Sequence, residues 1–380
     1  MYQRSAAEKP RKDSAPFELL EGESFDHREE LSDDFGTAHG PFLLVGETVV
    51  SRQPQKNLSI DRFFCVFRHF VVCYTEQRRR AGVSAKAYYH LPGLFEFYEF
   101  YRAFLPLYRA NRDWFYDWCE IGSIYGAPAD CLWGGGRAGF GECGARDALA
   151  LAQEYGVSAR LTFSNSLLRE EHLSDRKCNA LCELFSQANG VQNGVIVHSE
   201  LLTDYLRTRY PALYLVSSTT KVLTDFEDFR RELDREEFRY VVPDFRLNKR
   251  FEELNALSQV HKDKVEFLCN ECCWFGCSDR KQCYEVVSRK NLGEDCEHRC
   301  KAPDAQSGYR FSKAMENPGF IGVDAVLRTY LPMGFSQFKI EGRGLGSALI
   351  LEFLLYYMTK PAYQLRVREE IYLDNMLDLF

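Results

Sequence analysis

The sequence predicts an α/β protein built as a (β/α)8 TIM-like barrel, and three observations predict it. Past residue 82, strand patterns and helix patterns alternate with few exceptions. The strand patterns are short and mostly apolar, as parallel strands are when helices cover both faces of a sheet. Eight such units can be counted, whereas an open doubly wound sheet usually stops near about five or six strands, so the sheet is expected to close on itself.

Ala85–Leu91 (AKAYYHL) reads as the first strand, and the aromatic-rich stretch Leu94–Arg109 as its helix. Tyr116–Tyr125 is the second strand, followed by a glycine-rich loop and a helix over Ala145–Tyr155. Ser158–Phe163 precedes a helix at Asp175–Ala188, and Gly194–Val197 precedes one at Leu201–Arg209, which Pro211 ends. Leu213–Val216 pairs with helix Phe226–Arg235, and Phe238–Val242 with helix Arg250–Val260. Val265–Leu268 reads as a buried apolar strand that opens the longest connection. That connection carries a cysteine-rich insertion, a short strand-like run at Tyr309–Ser312 and a helix at Val323–Tyr330. Phe335–Ile340 is the eighth strand, with helix Ser347–Met358 after it. Residues 1–35 hold ten acidic and five basic residues and little apolar period, so 1–56 reads as a mobile tail and lead-in. The barrel then spans 57–360, and 361–380 is a C-terminal extension packing on it.

Composition narrows the function. The 380 residues are 45% apolar, ample for a core, and the formal charge of −7 lacks the basic footprint of a duplex DNA binder. Arg78-Arg79-Arg80 is the one dense basic run and reads as a solvated helix end. The N-terminus has no apolar signal core, and a chain this large has no need of disulfide staples. Its fourteen cysteines are therefore expected to be reduced thiols in a cytoplasmic protein. No membrane span is expected: Phe63–Tyr74 is interrupted by Arg68 and His69, and Ala348–Met358 is short and contains Glu352.

Seven of the cysteines fall within thirty-two residues: Cys269, Cys272, Cys273, Cys277, Cys283, Cys296 and Cys300. Four thiolates hold zinc as a tetrahedron or a [4Fe–4S] cube. The spacings Cys273-x3-Cys277 and Cys296-x3-Cys300 are looser than zinc knuckles and favour the cube on those four residues, with zinc as the alternative. Cys283 is the nearest replacement, and Cys269 or Cys272 is a further one. Trp274 and Phe275 are expected to limit water there, and so dense a set of thiols with no metal would be an oxidation hazard.

In a barrel of this kind the chemistry sits at the carboxyl ends of the strands. Those ends carry Ser164-Asn165, His198-Ser199, Ser217–Lys221, Asp244 with Arg246, Cys269-Asn270-Glu271, and Glu341 with Arg343. Lys339, Glu341 and Arg343 alternate along one extended segment and can share a face. Glu341 is a candidate for moving a proton or orienting substrate, and Arg343 and Arg246 for binding an anion. The bland alternative is a structural ion pair at the mouth. Asp244, Ser218, Thr219 and Lys339 are candidate substrate contacts. His198 reads as a hydrogen-bonded histidine rather than a base, and Cys178 and Cys182 as small core residues. Trp133–Arg137 with Gly139 and Gly141 is either an anion-facing loop or a lid, and it matches no nucleotide fingerprint.

Two segments carry a family resemblance. Phe338-Lys339-Ile340-Glu341-Gly342-Arg343 and Gly293-Glu294-x-Cys296-x3-Cys300 resemble the collagenase-like peptidase family, number thirty-two of the unassigned class. Val265–Leu268, Leu215–Thr219 and Tyr309–Ser312 are similar to its seventh strand, its fifth strand and the stretch before its last strand. The resemblance implies an iron–sulfur TIM barrel with four cysteine ligands. It also implies oxygen-independent hydroxylation of RNA bases or quinone precursors, or in some members peptidase activity. The usual six-residue gap between the first two family cysteines is absent, as is the histidine just ahead of them. The expected protein is thus an iron–sulfur hydroxylase or oxidoreductase served by an electron donor, on a small-molecule, RNA or peptide substrate. A peptidase-like hydrolase with a structural metal and a non-catalytic iron–sulfur partner protein are the alternatives. The chain has no HExxH or G-x-S-x-G motif to supply a peptidase centre.

Overall fold

The computed structural model describes residues 85–135, 143–187, 190–303, 305 and 311–377. All lie in the compact unit Asn57–Phe380. The acidic N-terminal segment, Arg78–Arg80 and most of the glycine-rich loop (136–141) are outside the described residues.

Eight strands run in chain order: β1 Ala87–Pro92, β2 Cys119–Gly126, β3 Ser158–Phe163, β4 Gly194–Val197, β5 Tyr214–Ser217, β6 Phe238–Val241, β7 Glu266–Leu268 and β8 Gln337–Lys339. Every pairing is parallel, in the order β6-β5-β4-β3-β2-β1-β8-β7. A parallel bridge between Val241 and Val265 joins β6 to the start of β7, so the sheet closes as expected.

The strands are largely buried on both faces and divide by parity, except where the β1–β2 and β5–β6 pairings shift register. In β3, Ala159, Leu161 and Phe163 face the helices, while Arg160 and Thr162 face the barrel interior. The interior is layered accordingly. A charged layer of His90, Arg160, Glu266 and Lys339 lies below an apolar plate of Tyr125, Ile196, Val216, Val242 and Leu268. The outer apolar layer packs against the helices, which are α1 Tyr98–Ala110, α2 Ala145–Glu154, α3 Arg176–Ser186, α4 Glu200–Arg209, α5 Phe226–Asp234, α6 Phe251–Ala256 and α7 Gln259–Lys264. Short polar residues set their starts: Asp175, Ser199, Asp225 and Ser258 each accept from a backbone N–H of the first turn.

The β7–β8 connection holds α8 Arg280–Asn291, α9 Phe311–Glu316 and a short helical turn at Val323–Ala325 that widens into a π-helix over Val326–Tyr330. After β8 come α10 Ser347–Met358 and α11 Gln364–Leu377, which packs on α1 and α10.

Four elements differ from expectation. The first helix begins at Tyr98 rather than Leu94, because the chain leaves β1 through a turn at Gly93, whose φ is +94°. The helix expected over Arg250–Val260 is two helices: Leu257 is extended and Ser258 caps the second. Phe311 and Ser312, expected in a strand-like run, open α9, while 309 and 310 are outside the described residues. The helix expected over Val323–Tyr330 is divided between the short turn and the π-helix.

Candidate active site at the barrel mouth

At the carboxyl ends of the strands a small cavity, partly open to solvent, enters the barrel. Tyr125, Ile196, Val242 and Leu268 form its apolar walls. Thr162, Ser164, Ser218, Thr219 and Thr220 bring hydroxyls, and Lys339, Glu341 and Arg343 bring charge. Ser218, Thr219, Lys339, Glu341 and Arg343, all expected here from the sequence, therefore share one cavity. Asp244 and Arg246 do not line it.

The floor is electrostatic. Glu266 is fully buried, with its carboxylate 2.5 Å from Arg160 Nη1, 3.4 Å from Lys339 Nζ and 3.4 Å from His90 Nε2. Burial works to raise the Glu266 pKa, but the Arg160 guanidinium and the neighbouring His90 and Lys339 reverse that and bring it down to about 2. His90 is itself pushed down to about 3, by burial first and then by Arg160. It is therefore neutral at physiological pH, leaving Arg160 and Lys339 as the compensating cations. Its partners fix the tautomer: Nε2–H donates toward Gln337 Oε1 at 3.1 Å, and Nδ1 accepts from Ser123 Oγ at 2.8 Å. Gln337 Nε2 donates to Ser336 Oγ, which orients that amide.

Lys339 joins the floor to the cavity. Its Nζ sits 3.4 Å from the centre of the Tyr125 ring, and Tyr125 is anchored by its OH donating to Ile340 O at 2.6 Å. Burial pushes the Lys339 ammonium down to about 8, against the pull of Glu266 and with help from Arg160 and Arg343. Above it, the buried hydroxyls of Thr162 and Ser164 line the cavity with no hydrogen-bond partner among the described residues. A buried polar group left this way costs about 1–3 kcal/mol, so the cavity is built to receive a polar ligand or water.

The arginines at the mouth are largely committed to neighbouring acids and carbonyls. Arg343 Nε donates to Glu96 Oε1 at 2.7 Å and Nη2 to Ala127 O at 3.2 Å, with Glu96 and Arg343 both buried. Arg343 thus closes the cavity wall with its charge balanced by Glu96, a partner the sequence reading did not name. Arg246 makes a two-point contact with Asp244, Nε to Oδ1 at 2.6 Å and Nη2 to Oδ2 at 3.0 Å, and Nη1 donates to Cys277 O. Asp244 is shared with Arg280, which also pairs with Glu271. This chain of alternating charges fastens the cysteine segment to the strand ends.

The seven clustered cysteines divide into three groups. Cys269 lies on the helix-facing side of β7's extension, fully buried, with its thiol directed to Phe267 O and its pKa raised by burial. Parity points it away from the mouth. Cys272 lies at the mouth, within 3.5 Å of both Glu271 Oε1 and Glu341 Oε1. Cys273 lines a neighbouring cleft with Cys272, and Cys277, Cys283, Cys296 and Cys300 belong to the chain segment that contains and flanks α8. Cys283 is on that helix, Cys296 Sγ lies 3.6 Å from Val286 O, and Lys301, next to Cys300, pairs with Asp279, two residues beyond Cys277. Cys269, Cys277, Cys296 and Cys300 are not in disulfides. Trp274 is exposed rather than shielding them, while Phe275 packs edge-on against Phe245.

The remaining expectations resolve locally. His198 Nδ1 is 2.8 Å from Thr220 Oγ1, and burial pushes its pKa down to about 4, the state of a neutral hydrogen-bonded histidine. Cys178 and Cys182 are core residues, with Cys178 against the Cys131 thiol. Of the glycine-rich loop, Gly135 is described. An added Cβ there would lie 2.5 Å from the Ser164 carbonyl carbon, so only glycine lets this backbone lie against the end of β3. Sequence reading missed Arg160, Glu266, His90, Thr162 and Glu96. The first two carried a signal: each is a lone charge at an inward-facing position within an apolar strand.

Taken together, fold and cavity define a closed parallel (β/α)8 barrel with an amine, hydroxyls and a carboxylate converging at its mouth. No family model matches the chain, and no curated protein matches it. Among solved structures it is similar to the one titled the U32 peptidase Mk0906, with a TM-score of 0.45 and 14% identity over 68% of this chain and 94% of that chain. Among the described residues, no helix is long and apolar enough to cross a membrane.

Proposed function

We propose that this barrel is an enzyme that carries a [4Fe–4S] cluster on Cys273, Cys277, Cys296 and Cys300 beside its mouth cavity. Its reaction would be an oxygen-independent redox modification, such as a hydroxylation in which the oxygen comes from water and the two electrons removed from the substrate pass through the cluster to an external electron acceptor. One observation carries the reading: the segment bearing these thiols is also the roof of the cavity. Tyr284 of α8 lines the cavity, and Ser288 of the same helix accepts from Asn165 Nδ2 through its carbonyl and from Ser166 N through its hydroxyl. Arg246 holds the Cys277 carbonyl.

Thiolates serve zinc and the cube alike, and the loose Cys273-x3-Cys277 and Cys296-x3-Cys300 spacings favour the cube. Zinc–sulfur bonds of about 2.3 Å place tetrahedral sulfurs about 3.8 Å apart. Among the described residues, only Glu271, Cys272 and Glu341 bring three donor atoms within 4.8 Å of one another. None of the four thiols belongs to that group. When bound, the cube would carry single electrons. The chain's own residues would then bind substrate through the Thr162–Ser164 and Ser218–Thr220 hydroxyls and hold a proton at Glu341.

Anaerobic purification with iron and sulfide counts and an absorption spectrum tests the cluster. Brown protein with about four irons per chain is expected, and Cys→Ser at any of the four positions should lower that count. Colourless protein with one zinc per chain would overturn the proposal, as would an unchanged iron count in the quadruple Ser variant.

A further inference from the structure

The structure assigns to Lys339 the role of an amine nucleophile that forms a Schiff base with a small hydroxylated aldehyde or ketone bound at the barrel mouth. The inference does not rest on the thiol cluster. Three observations carry it. Lys339 lines the floor of the mouth cavity, with its amine against the face of Tyr125 and apolar walls around it. Two buried hydroxyls, Thr162 and Ser164, line the same cavity with no partner among the described residues, and Ser218 and Thr219 add more hydroxyls around it. The nearby guanidinium of Arg343 is engaged by Glu96 and by the Ala127 carbonyl, so the cavity is equipped for a neutral, hydroxyl-bearing compound rather than a polyanion.

The titratable and charged groups facing the amine are Glu266 on β7, Arg160 on β3, neutral His90 on β1, and Glu341 and Arg343 beyond β8. Neutral Lys339 leaves Arg160 and Glu266 as a matched pair at the barrel centre. Glu341 lies two residues further along the same extended segment, about 7 Å away along the backbone. In the reaction the amine nitrogen adds to the carbonyl carbon, forming the C–N bond. The carbonyl oxygen then leaves as water, carrying the two amine hydrogens, with Glu341 relaying a proton to it. Nothing is oxidised or reduced. Thr162 and Ser164 would bind the hydroxyls of the substrate.

The test is reductive trapping of the full chain with dihydroxyacetone and cyanoborohydride at pH 7.5, read lysine by lysine by peptide mass spectrometry. A lysine with pKa near 8 holds about a hundredfold more free amine than an exposed one; allowing for its weaker basicity, Lys339 should label about tenfold faster than surface lysines. Thr162→Val with Ser164→Ala should lower labelling at Lys339 while leaving surface lysines unchanged. If that variant does not fold, the wild-type labelling pattern decides the question by itself. Adducts confined to surface lysines, or Lys339 labelling no faster in folded than in urea-unfolded protein, would overturn the inference. So would equal labelling in a folded hydroxyl-deleted variant. Repeating the trap after iron removal separates the two proposals: labelling that persists supports the Schiff base whatever the metal count shows.

Discussion

Replacing Glu266 with Gln removes the carboxylate that faces Arg160 and Lys339 at the centre of the barrel, while keeping its size. Two routes to the cost agree. At the 3.4 Å separation from Lys339, one charge–charge attraction is worth about 5 kcal/mol at an effective dielectric near 20, and easier desolvation of the neutral amide offsets part of it. Breaking a buried pair from one side typically costs about 3–5 kcal/mol. Independently, the Glu266 carboxyl is brought from its ordinary 4.5 to about 2 despite burial, which corresponds to about 3 kcal/mol of stability. The E266Q protein should therefore lose about 3 kcal/mol at pH 7. It would be measured by urea unfolding with fluorescence and circular dichroism recorded together, so that coincident transitions license the two-state treatment. The sign with pH is specific. A depressed carboxylate stabilises above its unfolded pKa, and that contribution disappears as pH falls from 4.5 toward 2, so the gap between wild type and variant should close over that window. A loss below about 1 kcal/mol at pH 7, or a gap unchanged down to pH 3, would refute the charge argument.

Three further outcomes follow from the same geometry. Glu96→Gln leaves buried Arg343 without its counter-charge and should cost about 3–5 kcal/mol; adding Arg343→Met should recover much of this, and a double variant no better than the single one would contradict a direct pair. Gly135→Ala forces a Cβ against the β3 terminus and should destabilise by about 1–3 kcal/mol in the same unfolding assay, whereas unchanged stability would mean the loop yields freely. His90, buried and held neutral by burial and Arg160, binds a proton more weakly folded than unfolded. It should therefore make stability fall as pH drops from 6.5 toward 3, and His90→Gln should flatten that limb above pH 4.5.

Parity explains much of what was legible and what was not. Lys339, Glu341 and Arg343 were read as sharing a face, and Ser218 and Thr219 as following an inward strand end; all five line the cavity. The same rule applied to Val265–Leu268 would have exposed Glu266 as an inward charge and Cys269 as an outward thiol. Reading the run simply as apolar hid both. The role of Arg343 was open because an arginine near a mouth either binds an anion or pairs with an acid. Here it pairs with Glu96, 247 residues earlier in the chain.

The sequence by itself determined the alternation of short buried strands and amphipathic helices, and with it a closed parallel barrel, because burial on two faces leaves a local periodic trace. It also determined which residues stand at the strand ends. Only the tertiary structure decided which charges cancel and which hydroxyls stay unpaired. Pairing energies depend on distances between strands far apart in the chain, and closure of the β6–β7 seam sets them. At this mouth, closure left an amine beneath two hydroxyls that have no partner among the described residues.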